Sequence, residues 1–159
     1  IFWTLSTSPE IVDVTVKSPN PCEVDIYVLT KDGVPTQEMK NQILKVVNSD
    51  EIRPLTDKVT IKSPDIIDYN VEFDYYINKT DEININSIKS KVQNIVNEYV
   101  EWQKNKLGRD IIPDELIKRL KLIGVKRTVI TSPTYKKLEP HQFAKCGSIV
   151  INYLGVEDI

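Results

Sequence analysis

The sequence predicts an α+β protein of two small subdomains, each a mostly antiparallel sheet with one or two helices packed on one face. Segments alternating apolar and polar residues with period 2 come in pairs, and segments of helical period separate the pairs. The resulting order is strand, strand, helix, strand, strand, helix, helix, strand, strand. A phrase also recurs: Val14-Thr-Val-Lys-Ser-Pro19, Val59-Thr-Ile-Lys-Ser-Pro64 and Val129-Ile-Thr-Ser-Pro133 each precede another strand. Proline ends a strand because it cannot donate to the ladder, and it holds its predecessor extended. The three copies are unevenly spaced, which rules out a solenoid. Finally, 159 residues with 40% hydrophobic composition suffice for one full core or two small ones, burying roughly 70% of the unfolded surface.

In chain order, Ile11 to Lys17 and Glu23 to Leu29 alternate as half-buried neighbouring strands across a Ser18-Pro-Asn-Pro21 turn. Thr36 is placed to cap a helix running to about Asn48, with Met39, Ile43, Val46 and Val47 on one face. Lys58 to Lys62 and the longer Tyr69 to Ile77 repeat the alternation. A helix from about Ser87 to Lys106 carries Ile88, Val92, Ile95, Val96, Tyr99 and Trp102 at helical spacing and stops at Leu107-Gly108. Pro113 opens a shorter helix with Leu116, Ile117 and Leu120 inward, ended by Gly124. Val125 to Thr131 and Ser148 to Tyr153 are the last strands, with a polar loop or arm from Tyr135 to Lys145 between them. The expected division is residues 1–64 (strand, strand, helix, strand) and 65–159 (strand, helix, helix, strand, strand). The exposed side of each sheet is expected to be polar or to meet a partner.

Twenty-one basic against 23 acidic residues give a formal charge of −2, which supplies no net field for nucleic acid or anionic lipid. No run approaches 18 apolar residues, so no transmembrane helix is expected. The opening Ile1 to Leu5 lacks the basic start of a signal peptide, and the missing initiator Met fits a piece of a longer chain. Cys22 and Cys146 lie too far apart for a CxxC pair. Both are expected to be reduced and mostly buried, although the sequence leaves their pairing open.

No catalytic, cofactor-binding or metal-binding residues emerge. The single histidine, His141, stands in the polar stretch Leu138-Glu-Pro-His-Gln and is expected to be a solvated loop residue. An enzyme would have to rest on His141 with Cys146. Yet Cys146 opens an apolar strand with only Lys145 beside it to lower its pKa, so it is expected to pack as a hydrophobe. Asp110, Asp114 and Glu115 flank a helix start, and Asp81 with Glu82 mark a turn, so none has metal-ligand spacing. Lys118, Arg119, Lys121, Lys126, Arg127, Lys136 and Lys137 are the strongest nucleic-acid signal but read best as a solvated face. On the strand holding Tyr69, Phe73, Tyr75 and Tyr76, the rings of Tyr69, Phe73 and Tyr75 are expected to alternate partly inward and partly outward, and Arg53 before Pro54 to clamp helix-terminal carbonyls or Asp57.

With those residues set out, the chain resembles the C-terminal half of the baseplate J family, the wedge proteins of contractile phage tails and phage-tail-like particles. The resemblance rests on Val12-Asp-Val-Thr-Val, Ser18-Pro19, Glu23-Val-Asp-Ile-Tyr-Val-Leu and Arg53-Pro-Leu-Thr-Asp-Lys-Val-Thr-Ile. It continues through Tyr75-Tyr-Ile, Leu107-Gly-Arg-Asp-Ile, Glu115-Leu-Ile, Gly124-Val-Lys-Arg and Thr131-Ser-Pro, covering nearly the whole chain. It implies a scaffold without catalysis that links hub, sheath and fibre components. Its partners would be other baseplate and tail proteins and further copies of itself, not nucleic acid, membrane or a small molecule. Its place would be the baseplate of a virion or phage-tail-like particle assembled in the bacterial cytoplasm. The alternative is a protein-binding adaptor of a related contractile secretion machine. In either case the surface strands and the Tyr135 to Lys145 arm are the expected contact elements.

Overall fold

The computed structural model describes residues 1–49 and 57–158. The chain forms two compact units, each assembled from separate stretches of sequence. The first holds Ile1–Ile66, Asn105–Arg109 and Glu139–Phe143; the second holds Ile67–Lys104, Asp110–Leu138 and Ala144–Ile159.

The first unit contains α1 (Phe2–Ser6), β1 (Ile11–Lys17), β2 (Glu23–Thr30), α2 (Gln37–Val47) and β3 (Lys58–Lys62). The sheet order is β1-β2-β3. The proline turn returns β2 antiparallel to β1, with Val14 opposite Val28. Between β2 and β3 the chain passes through α2, long enough to re-enter in parallel, and Ile26 lies opposite Ile61. The Thr36 hydroxyl accepts the Met39 amide at 3.3 Å, so α2 starts at its predicted cap. Met39, Ile43 and Val47 then pack on Val14, Ile26, Val28, Val59 and Ile61.

The opposite face of β2 is covered as well. Leu29, wholly buried, packs with Leu107 and with Phe143, which is 1% exposed. Asp13 holds this cover in place: one carboxylate oxygen accepts the Leu107 amide at 2.9 Å and the other meets Lys106 Nζ at 3.1 Å. The Asp65 amide donates to the His141 carbonyl at 3.0 Å, and the Gly108 amide to the Gln142 carbonyl at 2.8 Å. Gly33 sits at φ +103°, and a Cβ there would come within 3.1 Å of the Phe143 ring.

The second unit contains β4 (Asp65–Asn78), whose first two residues lie in the first unit, a 3-10 turn (Lys79–Asn84), α3 (Ile85–Lys104), α4 (Pro113–Leu122), β5 (Val125–Ser132) and β6 (Gln142–Glu157). β4 is central, in the order β5-β4-β6. β5 pairs with it antiparallel, placing Phe73 opposite Ile130. β6 meets β4 at a constant separation of 78 residues, Ser148 with Asn70 and Asn152 with Asp74, so the two run in the same direction. Both sheets are therefore mixed, each joining one antiparallel and one parallel neighbour. Tyr69, Val71, Phe73, Tyr75 and Ile77 pack under α3 (Ile88, Val92, Val96, Tyr99) and α4 (Leu116, Leu120).

Several expectations are corrected. α1 was not foreseen, since five residues carry too little periodicity to be read. The Tyr135 to Lys145 stretch is not a free arm: Leu138 is buried, and Phe143 and Ala144 are buried within β6, which starts at Gln142. Asp110 pins its beginning, accepting the Leu138 amide at 2.8 Å and the Tyr135 hydroxyl at 3.0 Å. Tyr69, Phe73 and Tyr75 all face inward, because they share one parity on the strand; Tyr76 is the outward one. Cys22 is exposed, at φ +63° in the turn before β2, and both cysteines are free thiols. The expected Arg53 clamp lies outside the described residues.

Candidate functional site

The residues with chemical potential fall into separate structural roles. His141 belongs to the first unit and Cys146 to the second. His141 is no solvated loop histidine: its side chain is 19% exposed. Its ring lies 5.2 Å from that of Tyr27. Lys17 Nζ, which has only protons to give, stands 2.7 Å from Nδ1, and Asp65 Oδ2 stands 3.2 Å from Nε2. In this contact Lys17 is the donor and Nδ1 the acceptor, while Nε2 faces Asp65. Both ring nitrogens are engaged within the first unit.

Cys146 packs against the second core, its sulfur 3.6 Å from the Ser148 carbonyl. Burial pushes its thiol up, away from the thiolate a nucleophile needs. Among the described residues, no group of three acidic, histidine or cysteine side chains is placed to hold a metal ion. No helix among them is long and apolar enough to cross a membrane. Asp110 is a structural acceptor, and its carbonyl also receives Gln103 Nε2 at 2.9 Å.

The basic cluster is largely partnered within the chain. Glu115 binds Lys118 at 2.8 Å and Arg119 at 2.9 Å, and these cations hold its carboxyl below the usual range. Lys121 donates to the Lys126 carbonyl, Lys126 to that of Asp158, and Arg127 pairs with Glu157 while stacking 4.1 Å from the Tyr76 ring centre.

Two of the surfaces among the described residues suit contact with another protein. In the first unit a polar hollow of about 290 Å³ is lined by Pro19, Asn20, Glu23, Asp25, Lys58, Thr60 and Lys62. These side chains come together because Asp25 pairs in register with Thr60 and Glu23 with Lys58. Asp25, nine-tenths buried, receives Lys62 Nζ at 2.6 Å. Balanced charge of this kind matches polar interface rims better than an anion site. In the second unit, Val129, Val150 and Leu154 are exposed on the sheet among Asn70, Glu72 and Asn152. Sequence reasoning anticipated polar outward strand faces but missed the His141 network, whose partner Lys17 stands 124 residues away.

Two three-stranded mixed sheets, each with helices packed on it, define an α+β protein of two units. The baseplate J-like protein C-terminal domain model matches residues 69–152, and the baseplate J-like central domain model matches residues 1–63. The chain belongs to the baseplate J-like family. It is similar to Baseplate protein J of Escherichia phage P2, 28% identical over 130 residues, which are 80% of this chain and 42% of that protein. It also shares its fold with a chain in the six-fold symmetrised cryo-EM structure of the anti-feeding prophage baseplate. There the TM-score is 0.56 at 14% identity, over 90% of this chain and 35% of that one. The chain thus spans less than half the length of either protein.

Proposed function

We propose that this chain is a structural component of the baseplate of a phage or phage-tail-like particle, a wedge scaffold that links hub, sheath and fibre components and performs no catalysis. The observation that carries the reading is the match of two consecutive baseplate J-like domains, in order, to almost the whole chain. The partnered His141 and the protonated, packed Cys146 support a role without chemistry. Its partners are other baseplate and tail proteins and further copies of itself, within particles assembled in the bacterial cytoplasm. A scaffold that holds one geometry before contraction and another after it works through modest polar interfaces, the kind the Asp25–Lys62 hollow offers.

The test is immunogold electron microscopy of particles from the source strain, with antibody raised to this chain. Label confined to one end of contractile tails is expected. Intact unlabelled tails with the protein in the soluble fraction would overturn the baseplate reading and favour a free binding module.

A further inference from the structure

In the second unit β4 outruns its neighbour β5. The ladder between them ends at the Glu72–Ser132 pair, whereas β4 reaches back to Asp65. Proline cannot continue a ladder, so the chain leaves β4 at Pro133, and Lys136 then pairs with Ile111 through both backbone groups, at 2.9 and 3.2 Å. Between the first half of β4 and this diverging segment lies a hollow of about 220 Å³. Its walls carry charges of both signs that the fold leaves unused. Asp68 stands on the β4 side and Lys136 on the other, and neither side chain has an ion pair or hydrogen bond among the described residues. Ser132 and Thr134 share the wall with Lys136. Tyr69 lines the hollow too; it is 8% exposed, and its hydroxyl has no hydrogen-bond partner among the described residues. Burial keeps that phenol protonated, so it has a proton to donate.

These charges select the ligand. An anion alone would be drawn to Lys136 and repelled by Asp68, and a cation alone the reverse. A molecule with an ammonium and a carboxylate on one carbon meets both walls and brings in no net charge. A peptide terminus carries only one of the two, which points to a free molecule. It must be small, because the hollow is below the roughly 300–1,000 Å³ of pockets that take drug-sized ligands. Ile111, 2% exposed, offers an apolar surface to a short side chain.

We propose that this hollow binds a free α-amino acid with a short side chain, its ammonium on Asp68 and its carboxylate on Lys136, with the Tyr69 hydroxyl as a further donor. The site goes beyond the baseplate reading, since the family resemblance implies no small-molecule ligand.

The test is an NMR titration of the whole isotope-labelled chain with L-alanine. The amides of Asp68, Tyr69, Thr134 and Lys136 are expected to shift and saturate, while acetate and methylammonium at equal ionic strength leave them in place. Asp68→Asn and Lys136→Met, both at exposed positions, are each expected to weaken binding about tenfold, the loss of one charge-assisted hydrogen bond. Tyr69→Phe is expected to weaken it as well, with the rest of the spectrum retained. Shifts that do not saturate, saturation by acetate or methylammonium as strong as by alanine, or an affinity unchanged in any of the three variants would each overturn the site.

Discussion

At the scale of single residues, the buried hydroxyl of Tyr69 is the most informative group. It has no hydrogen-bond partner among the described residues, while the Tyr99 hydroxyl donates to the Ile112 carbonyl at 3.2 Å. Replacing Tyr69 by Phe removes an unsatisfied group and keeps the ring's edge-to-face contact with Tyr99. Stability in urea is therefore expected to stay level or rise by up to about 1 kcal/mol. A loss larger than that would mean the hydroxyl has a partner. The two phenols also fix a pH dependence. Burial raises both above the ordinary value of 10.0, so the folded state favours the neutral form. Their contribution is fully present below that pH and is lost progressively as pH rises from it toward the raised folded values, because the unfolded chain ionises first. The urea midpoint is expected to fall above pH 10, and to fall less steeply in Tyr69→Phe.

At the scale of elements, the return segments and the β4–β6 seam carry the specific packing. Phe143 lies against Leu29 and Leu107, and Phe143→Ala is expected to cost about 3–5 kcal/mol in equilibrium unfolding. A value near zero would mean that the cover over β2 is dispensable. In the seam, a Cβ on Gly147 would come within 2.8 Å of Asn70 Oδ1, which accepts the Ser148 amide at 3.0 Å. Gly147→Ala must displace that amide oxygen and lose its bond, a cost of about 1 kcal/mol. Made in an Asn70→Ala background, the same change should cost less, and a double-mutant cycle reads the difference. Strict additivity would show that Asn70 does not constrain Gly147.

At the scale of the whole molecule, the two units share one chain in alternation, and this sets what a fragment can do. A piece ending at Ile66 lacks Asn105–Arg109 and Glu139–Phe143, leaving Leu29 and Tyr27 uncovered on the outer face of β2. It is expected to show poorly dispersed amide resonances and a broad, non-cooperative urea transition. A sharp transition would show that α2 and its core of Val14, Ile26, Val28 and Ile43 suffice. The family's domain division by sequence and the packing division therefore need not coincide, since a strand buried on both faces recruits cover from wherever the chain supplies it.

The sequence by itself determined the elements other than α1 and the beginning of β6. Thr36, Pro113 and the period of α3 act within a few residues, and the strand alternation of β1, β2 and β4 is equally local. The family was legible too, in strings such as Arg53-Pro-Leu-Thr-Asp. Only the tertiary structure decided what lies over β2, where His141 sits, that Tyr135 to Lys145 is anchored by Asp110, and which strand is left at the sheet edge. Those outcomes depend on residues far apart in sequence meeting once two cores have formed. Local propensity carries no information about such meetings, because the Asp13 carboxylate and the Leu107 amide it holds are brought together only by the folded sheet.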